Sequence, residues 1–165
     1  MRLFFIVFWI LVSQVTWASD TENNEAIRLD GDLAIAPDFV EEHNGIKAEL
    51  GSGPVACILR FKGGAVPFLL SGNPSISIIS VQAVYDGKIH KNAKLLVSSG
   101  PYKGQYVPLK SMSGLYTSPF DFDYFWGAKL LLVEDGHYAE LPVISPKTFE
   151  TTISAYKDCV GSLVK

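Results

Sequence analysis

The stretch SISIISVQAVYDGKIHKNAKLLV, residues 75–97, decides the fold class. Ile76, Ile78, Val81, Ala83 and Tyr85 lead into Asp86-Gly87, and Ile89, Ala93, Leu95 and Val97 lead out of it. Ser75, Ser77, Ser80 and Gln82 fall between the apolar positions. Successive strand side chains point to opposite faces, so this spacing describes strands with one buried and one wet face. Asp-Gly between two such runs is the strongest short-range signal for a hairpin. The alternation slips once, at Ile78-Ile79, which predicts a β-bulge.

The same pattern extends in both directions. Asp-Gly recurs at Asp30-Gly31 and Asp135-Gly136, again between apolar runs. The last of these predicts a hairpin joining Ala128–Glu134 to His137–Ile144, and Leu130–Val133 is apolar on both faces, as in a central strand. Val55, Cys57, Leu59 and Phe61 alternate with Ala56, Ile58, Arg60 and Lys62, which places Cys57 on a core-facing strand. The period then changes. Ser145-Pro146 reads as a helix start, and Phe149, Ile153, Tyr156 and Val160 recur at helical spacing, predicting a helix over 146–160 that Gly161 closes. The expected fold is mainly β, an antiparallel β-sandwich or partial barrel with one C-terminal α-helix, forming a single domain over residues 26–165.

Leu3–Val12 is a short apolar run behind Arg2, followed by a more polar stretch ending in Ala18. This is the layout of a secretory signal peptide cleaved near Ala18, since a spanning helix needs about 20 apolar residues. Residues 19–25 are polar and read as a loose terminus. Export to an oxidising compartment favours pairing Cys57 with Cys159, the only two cysteines, which would tether the helix to the sheet. The expected location is the bacterial periplasm or the cell exterior.

The chain has 165 residues, 14 Lys+Arg against 17 Asp+Glu, and 48% hydrophobic residues. That excludes a disordered chain and argues against nucleic acid as a partner, which calls for a clustered basic surface. Catalytic and metal signatures are weak. Ser154-Ala155-Tyr156-Lys157 matches Ser-x-x-Lys without its companion motifs. Asp121-Phe122-Asp123 begins like a calcium loop, but Phe125 and Trp126 then occupy ligand and glycine positions. His43, His90 and His137 lack zinc spacing. No catalytic residue, metal or cofactor is expected.

Aromatic residues concentrate between Tyr102 and Trp126, where eight of the fifteen that follow Ala18 fall. Tyrosine and tryptophan on rigid loops give large contact area at low entropic cost, so Tyr102, Tyr106, Tyr116, Asp121, Asp123, Tyr124 and Trp126 are the candidate binding residues. Phe120, Phe122 and Phe125 are expected to serve the core as well, and Tyr102 and Tyr116 are expected to be replaceable by Ala without loss of stability.

Gly136–Val143, followed by a helix bearing Phe149, resembles the close of invasion-associated locus B proteins, which are small exported β-rich proteins with a final helix. Ser99-Gly100-Pro101-Tyr102 and Ser113-Gly114-Leu115-Tyr116 are similar to the Ser-Gly-x-x-Tyr motif of periplasmic lysozyme inhibitors, each one residue short of it. The functional expectation is a non-enzymatic exported module that binds another envelope or periplasmic protein. It would act as an inhibitor or immunity protein against a cell-envelope enzyme, or as an accessory subunit of an envelope or secretion assembly. The alternative is a carrier of a small apolar ligand or lipid, with a cavity lined by Phe120, Phe125 and Trp126.

Overall fold

The computed structural model describes Leu29, residues 37–121 and residues 127–163. The described strands are β1 (Phe39–His43), β2 (Ile46–Ser52), β3 (Cys57–Lys62), β4 (Phe68–Asn73), β5 (Ile76–Val81), β6 (Lys94–Val97), β7 (Tyr106–Pro108), β8 (Lys110–Met112), β9 (Leu115–Pro119), β10 (Leu130–Glu134) and β11 (His137–Glu140). One helix follows, α1 (Glu150–Ser162). The strands form two antiparallel sheets, ordered β1-β2-β3-β4-β5-β9-β8 and β11-β10-β6-β7. The fold is sandwich-like and mainly β, and its sheets do not close into a barrel.

Three hairpins are set by residues that tolerate φ > 0. Asn44-Gly45, Ser113-Gly114 and Asp135-Gly136 each hold both central residues at positive φ and join strands two residues apart, His43 to Ile46, Met112 to Leu115 and Glu134 to His137. The Asp135-Gly136 turn and the central position of β10 follow the sequence pattern. Asn44-Gly45 carries the same signal outside the aspartate-glycine pairs.

Asp86-Gly87 corrects the expectation. Both residues have positive φ, yet β5 and β6 lie in different sheets. β5 already pairs with β4 on one edge and β9 on the other, so it has no free edge for β6, which pairs with β10 and β7. The turn therefore lies within a crossover between sheets. The expected bulge is also missing: Leu70↔Ile79 and Ser71↔Ile78 are in unbroken register. Ile78 simply faces the half-covered outer side, where an apolar residue is tolerated. Asp30-Gly31 and residues 1–25 lie outside the described residues.

Inner-face residues of both sheets and of α1 form one contiguous core, including Leu59, Phe61, Ile79, Leu95, Leu132, Phe149 and Ile153. Cys57 is fully buried on β3 and bonds to Cys159, closing a loop of 102 positions. Cys57, Leu59 and Phe61 face inward as expected, whereas Val55 precedes β3 and is 77% exposed. Phe149, Ile153 and Tyr156 are buried and Val160 is half-buried, so the helical stripe faces the sheet.

The helix boundaries differ from 146–160. Ser145 makes a turn instead, its Oγ accepting the Lys147 N–H and its carbonyl those of Thr148 and Phe149. The N-cap residue Phe149 has no side-chain cap, and Gly161 lies inside the last turn. Glu41 of β1 supplies the missing acceptor: its Oε2 takes the Thr152 N–H at 3.1 Å and the Thr152 hydroxyl. Gly72 makes room for the helix, because a Cβ there would collide with the Tyr156 hydroxyl.

Candidate functional site

The smaller sheet sorts its residues by the two-residue period. Val107, Leu95, Leu132 and Ala139 are register neighbours facing the core. The alternate residues form two rows on the outer face: Tyr106, Leu96, Leu131 and Glu140, then Pro108, Lys94, Val133 and Tyr138. Tyr106 is 51% exposed and Tyr138 62%, and the aliphatic residues between them are half-buried or buried. Lys94 Nζ lies 4.2 Å from the Tyr106 ring centroid, a cation–π contact that orders the ring. Lys129 Nζ and Glu140 Oε2 pair at 2.7 Å on the rim. The result is an apolar strip between two exposed tyrosines, bordered by charge.

The expected binding residues are divided by the structure. Tyr106 lies on this face. Tyr102 is half-buried against the core in the loop between β6 and β7. Asp121 is exposed beyond the end of β9. Asp123, Tyr124 and Trp126, with Phe122 and Phe125, lie outside the described residues, and Phe120 is buried in the core.

Tyr116 is a correction. It faces inward from β9 and is fully buried, its hydroxyl accepting the His90 N–H at 2.7 Å. Burial, reinforced by the nearby Glu134 carboxylate, raises its pKa against the opposing His90 hydrogen bond, keeping the phenol protonated. The parity of β9 decides this: Tyr116 pairs with the inward Val81. Glu134 is equally buried, and its Oε2 accepts the Val84 and Tyr85 N–H groups at 3.1 and 3.0 Å. Together Tyr116 and Glu134 fix the crossover that carries Asp86-Gly87. Tyr138 lies outside the aromatic cluster and escapes a composition count; its signal is parity across the Asp135-Gly136 turn, which aligns it with Val133.

Among the described residues, two imidazole–carboxylate pairs are present. His90 Nε2 bonds Asp86 Oδ1 at 2.9 Å, which raises the imidazole pKa and lowers that of the carboxyl. His43 Nε2 bonds Glu41 Oε1 at 2.8 Å, while the other oxygen of Glu41 caps α1. The Tyr116 hydroxyl near the first pair meets the His90 backbone N–H, and the Thr152 hydroxyl near the second meets the Glu41 carboxylate, rather than an imidazole nitrogen. Among the described residues, no His, Cys, Asp and Glu group is arranged to hold a metal ion, and no helix is long and apolar enough to cross a membrane.

A hollow of about 590 Å³ opens where the β4–β5 turn, the end of β9 and α1 meet. Ile76, Phe120 and Val160 give it apolar walls, with Ser77, Asp121 and Lys157 among its polar ones. No protein-family model, curated protein or solved structure matches the chain.

Proposed function

We propose that this protein is an exported, non-enzymatic protein-binding module of the bacterial envelope, acting as an inhibitor or an accessory subunit. The observation that carries the reading is the outer face of the β11-β10-β6-β7 sheet, where Tyr106 and Tyr138 stand more than half exposed beside Leu96 and Leu131. Exposed tyrosines flanking a partly covered aliphatic strip have the composition of an interface centre, and Lys94, Lys129 and Glu140 that of a rim. The Cys57–Cys159 bond supports an oxidising compartment. Capture from a periplasmic extract, with the chain from Ser19 onward as bait, tests the proposal. The expected result is a discrete partner retained by wild type and lost with Y106A/Y138A, while the melting temperature stays unchanged. Equal retention by both baits overturns the assignment.

A carrier function is the second reading, and the hollow beside Phe120 favours it: its volume is within the roughly 300–1,000 Å³ range of ligand sites. Trp126 is the sole tryptophan after Ala18, so fluorescence from that chain has a single tryptophan source. A saturable shift on adding a fatty acid supports the carrier; no shift counts against it.

A further inference from the structure

The hollow beside Phe120 takes its walls from the β4–β5 turn, the end of β9 and α1, and each wall is fixed in place. Asn73 Oδ1 accepts the Ser75 and Ile76 N–H groups at 2.9 and 3.1 Å, which sets the turn. The Phe120 N–H bonds the Ser77 carbonyl at 2.9 Å and ties the end of β9 to β5. On α1, Cys159 stands between Tyr156 and Val160 in sequence, and its bond to Cys57 anchors the helix to β3, where Cys57 is the register partner of Gly72. The concavity is therefore formed before any ligand arrives, and little ordering opposes its filling.

The lining is mixed rather than apolar. The buried Tyr156 hydroxyl sits beside that of Ser77, both against Gly72. Burial raises the Tyr156 pKa, so both hydroxyls are uncharged at neutral pH, and each can donate as well as accept. Ile76, Pro119 and Val160 supply apolar surface, with Ile76 44% exposed. Among the described lining residues the charges are Asp121 and Lys157, both exposed and of opposite sign. A carboxylate would meet Asp121 and an amine would meet Lys157, so a ligand without charge fits best. A hydrocarbon tail would strip water from Ser75, Ser77 and Asp121 and return no hydrogen bond, which is costly.

We propose that this hollow binds a neutral sugar, whose hydroxyls bond Ser77, Asp121 and Lys157 and whose ring carbons rest on Ile76 and Val160. A pyranose combines a rim of hydroxyls with C–H faces, the mixture that these walls offer. The proposal rests on the carrier reading for the place of the site and departs from it in the class of ligand. The Tyr106–Tyr138 face lies on the other sheet and takes no part.

The test titrates the ¹⁵N-labelled protein with cellobiose, maltose, lactose and N,N′-diacetylchitobiose. The expected result is a saturable shift of the Ser75, Ile76, Ser77 and Lys157 amides with at least one of them at millimolar concentration, while the Tyr106 and Tyr138 amides stay put. Asp121→Ala should weaken that binding about tenfold, through loss of a charge-assisted hydrogen bond, at an unchanged melting temperature. Y106A/Y138A should bind as wild type does. Glucuronate and glucosamine should move the same amides no more than glucose. No response to any disaccharide overturns the proposal, as does an undiminished response in Asp121→Ala, a lost one in Y106A/Y138A or a stronger one to either charged ring. If dodecanoate alone shifts these amides, the sugar fails and the apolar carrier stands. If neither sugar nor dodecanoate moves them, both fail.

Discussion

The two sheets treat their outer faces in opposite ways. On the seven-stranded sheet the outward row Glu49, Arg60, Leu69, Ser80 and Thr117 is polar but for Leu69, and its polar members are buried. Leu29 lies across it, its N–H given to Gln82 and its carbonyl accepting from Arg60. Arg60 pairs with Glu49 through two nitrogens, while Lys47 and Lys62 reach the other carboxylate oxygen at 2.9 and 3.5 Å. Burial alone would raise the Glu49 pKa, but hydrogen bonds from Lys47 and Arg60 and the charges of Arg60 and Lys62 outweigh it, and the group falls to about 2. On the four-stranded sheet the outward face carries half-buried or buried aliphatic residues between two exposed tyrosines, Tyr106 and Tyr138. Polar groups that are buried and paired fix a structure, whereas exposed apolar groups leave binding energy unused.

The sharpest way to break this comparison is to attack the closed side. Tyr116→Ala leaves a core cavity and removes the acceptor of the His90 N–H, so unfolding should become easier by about 3–5 kcal/mol in urea titrations. An unchanged midpoint would return Tyr116 to the surface. Cys57→Ser/Cys159→Ser releases a long loop and should lower stability by about 3–5 kcal/mol. The same double variant should retain any partner bound at Tyr106 and Tyr138, under conditions where it is folded. Loss of binding there would mean that the two halves are not independent.

A smaller effect belongs to the helix cap. Burial raises the Glu41 pKa, but hydrogen bonds from Thr152 and His43 more than offset this, and the net shift is downward. A lowered carboxylate stabilises the fold above its unfolded pKa and loses that contribution as pH falls through its folded one. Glu41→Gln should therefore cost about 1 kcal/mol at neutral pH, and the gap to wild type should close below about pH 4. A gap independent of pH would show that charge plays no part in the cap. The smallest expected effect is on the open side: Y106A/Y138A should shift stability by no more than about 0.5 kcal/mol. A larger loss would make the exposed face a structural element.

Strand periodicity, the Asp135-Gly136 hairpin, the central β10 and the helical stripe were legible in the sequence, because alternation and turn chemistry are local. The cysteine count, with the expectation of export, made the pairing of two cysteines legible as well, and the bond is present. The candidate site was only partly legible. Aromatic density pointed to Tyr106 but equally to Tyr116, and clustering along the chain carries no parity. Parity needs the register, and for Tyr116 the register came from β5, whose other neighbour is β4.

The sequence by itself determined the strand alternation, the Asp135-Gly136 hairpin, the apolar stripe of the helix, and that Cys57 and Cys159 have each other as partners. Tertiary structure alone decided that the Asp86-Gly87 turn crosses between sheets, because β5 has just two edges and both are taken. It also decided that Glu41 caps a helix 111 positions away, and that Tyr106 and Tyr138 share an open face while Tyr116 is sealed. Each depends on which strands lie side by side, and that is settled only when every edge and face competes for the same neighbours.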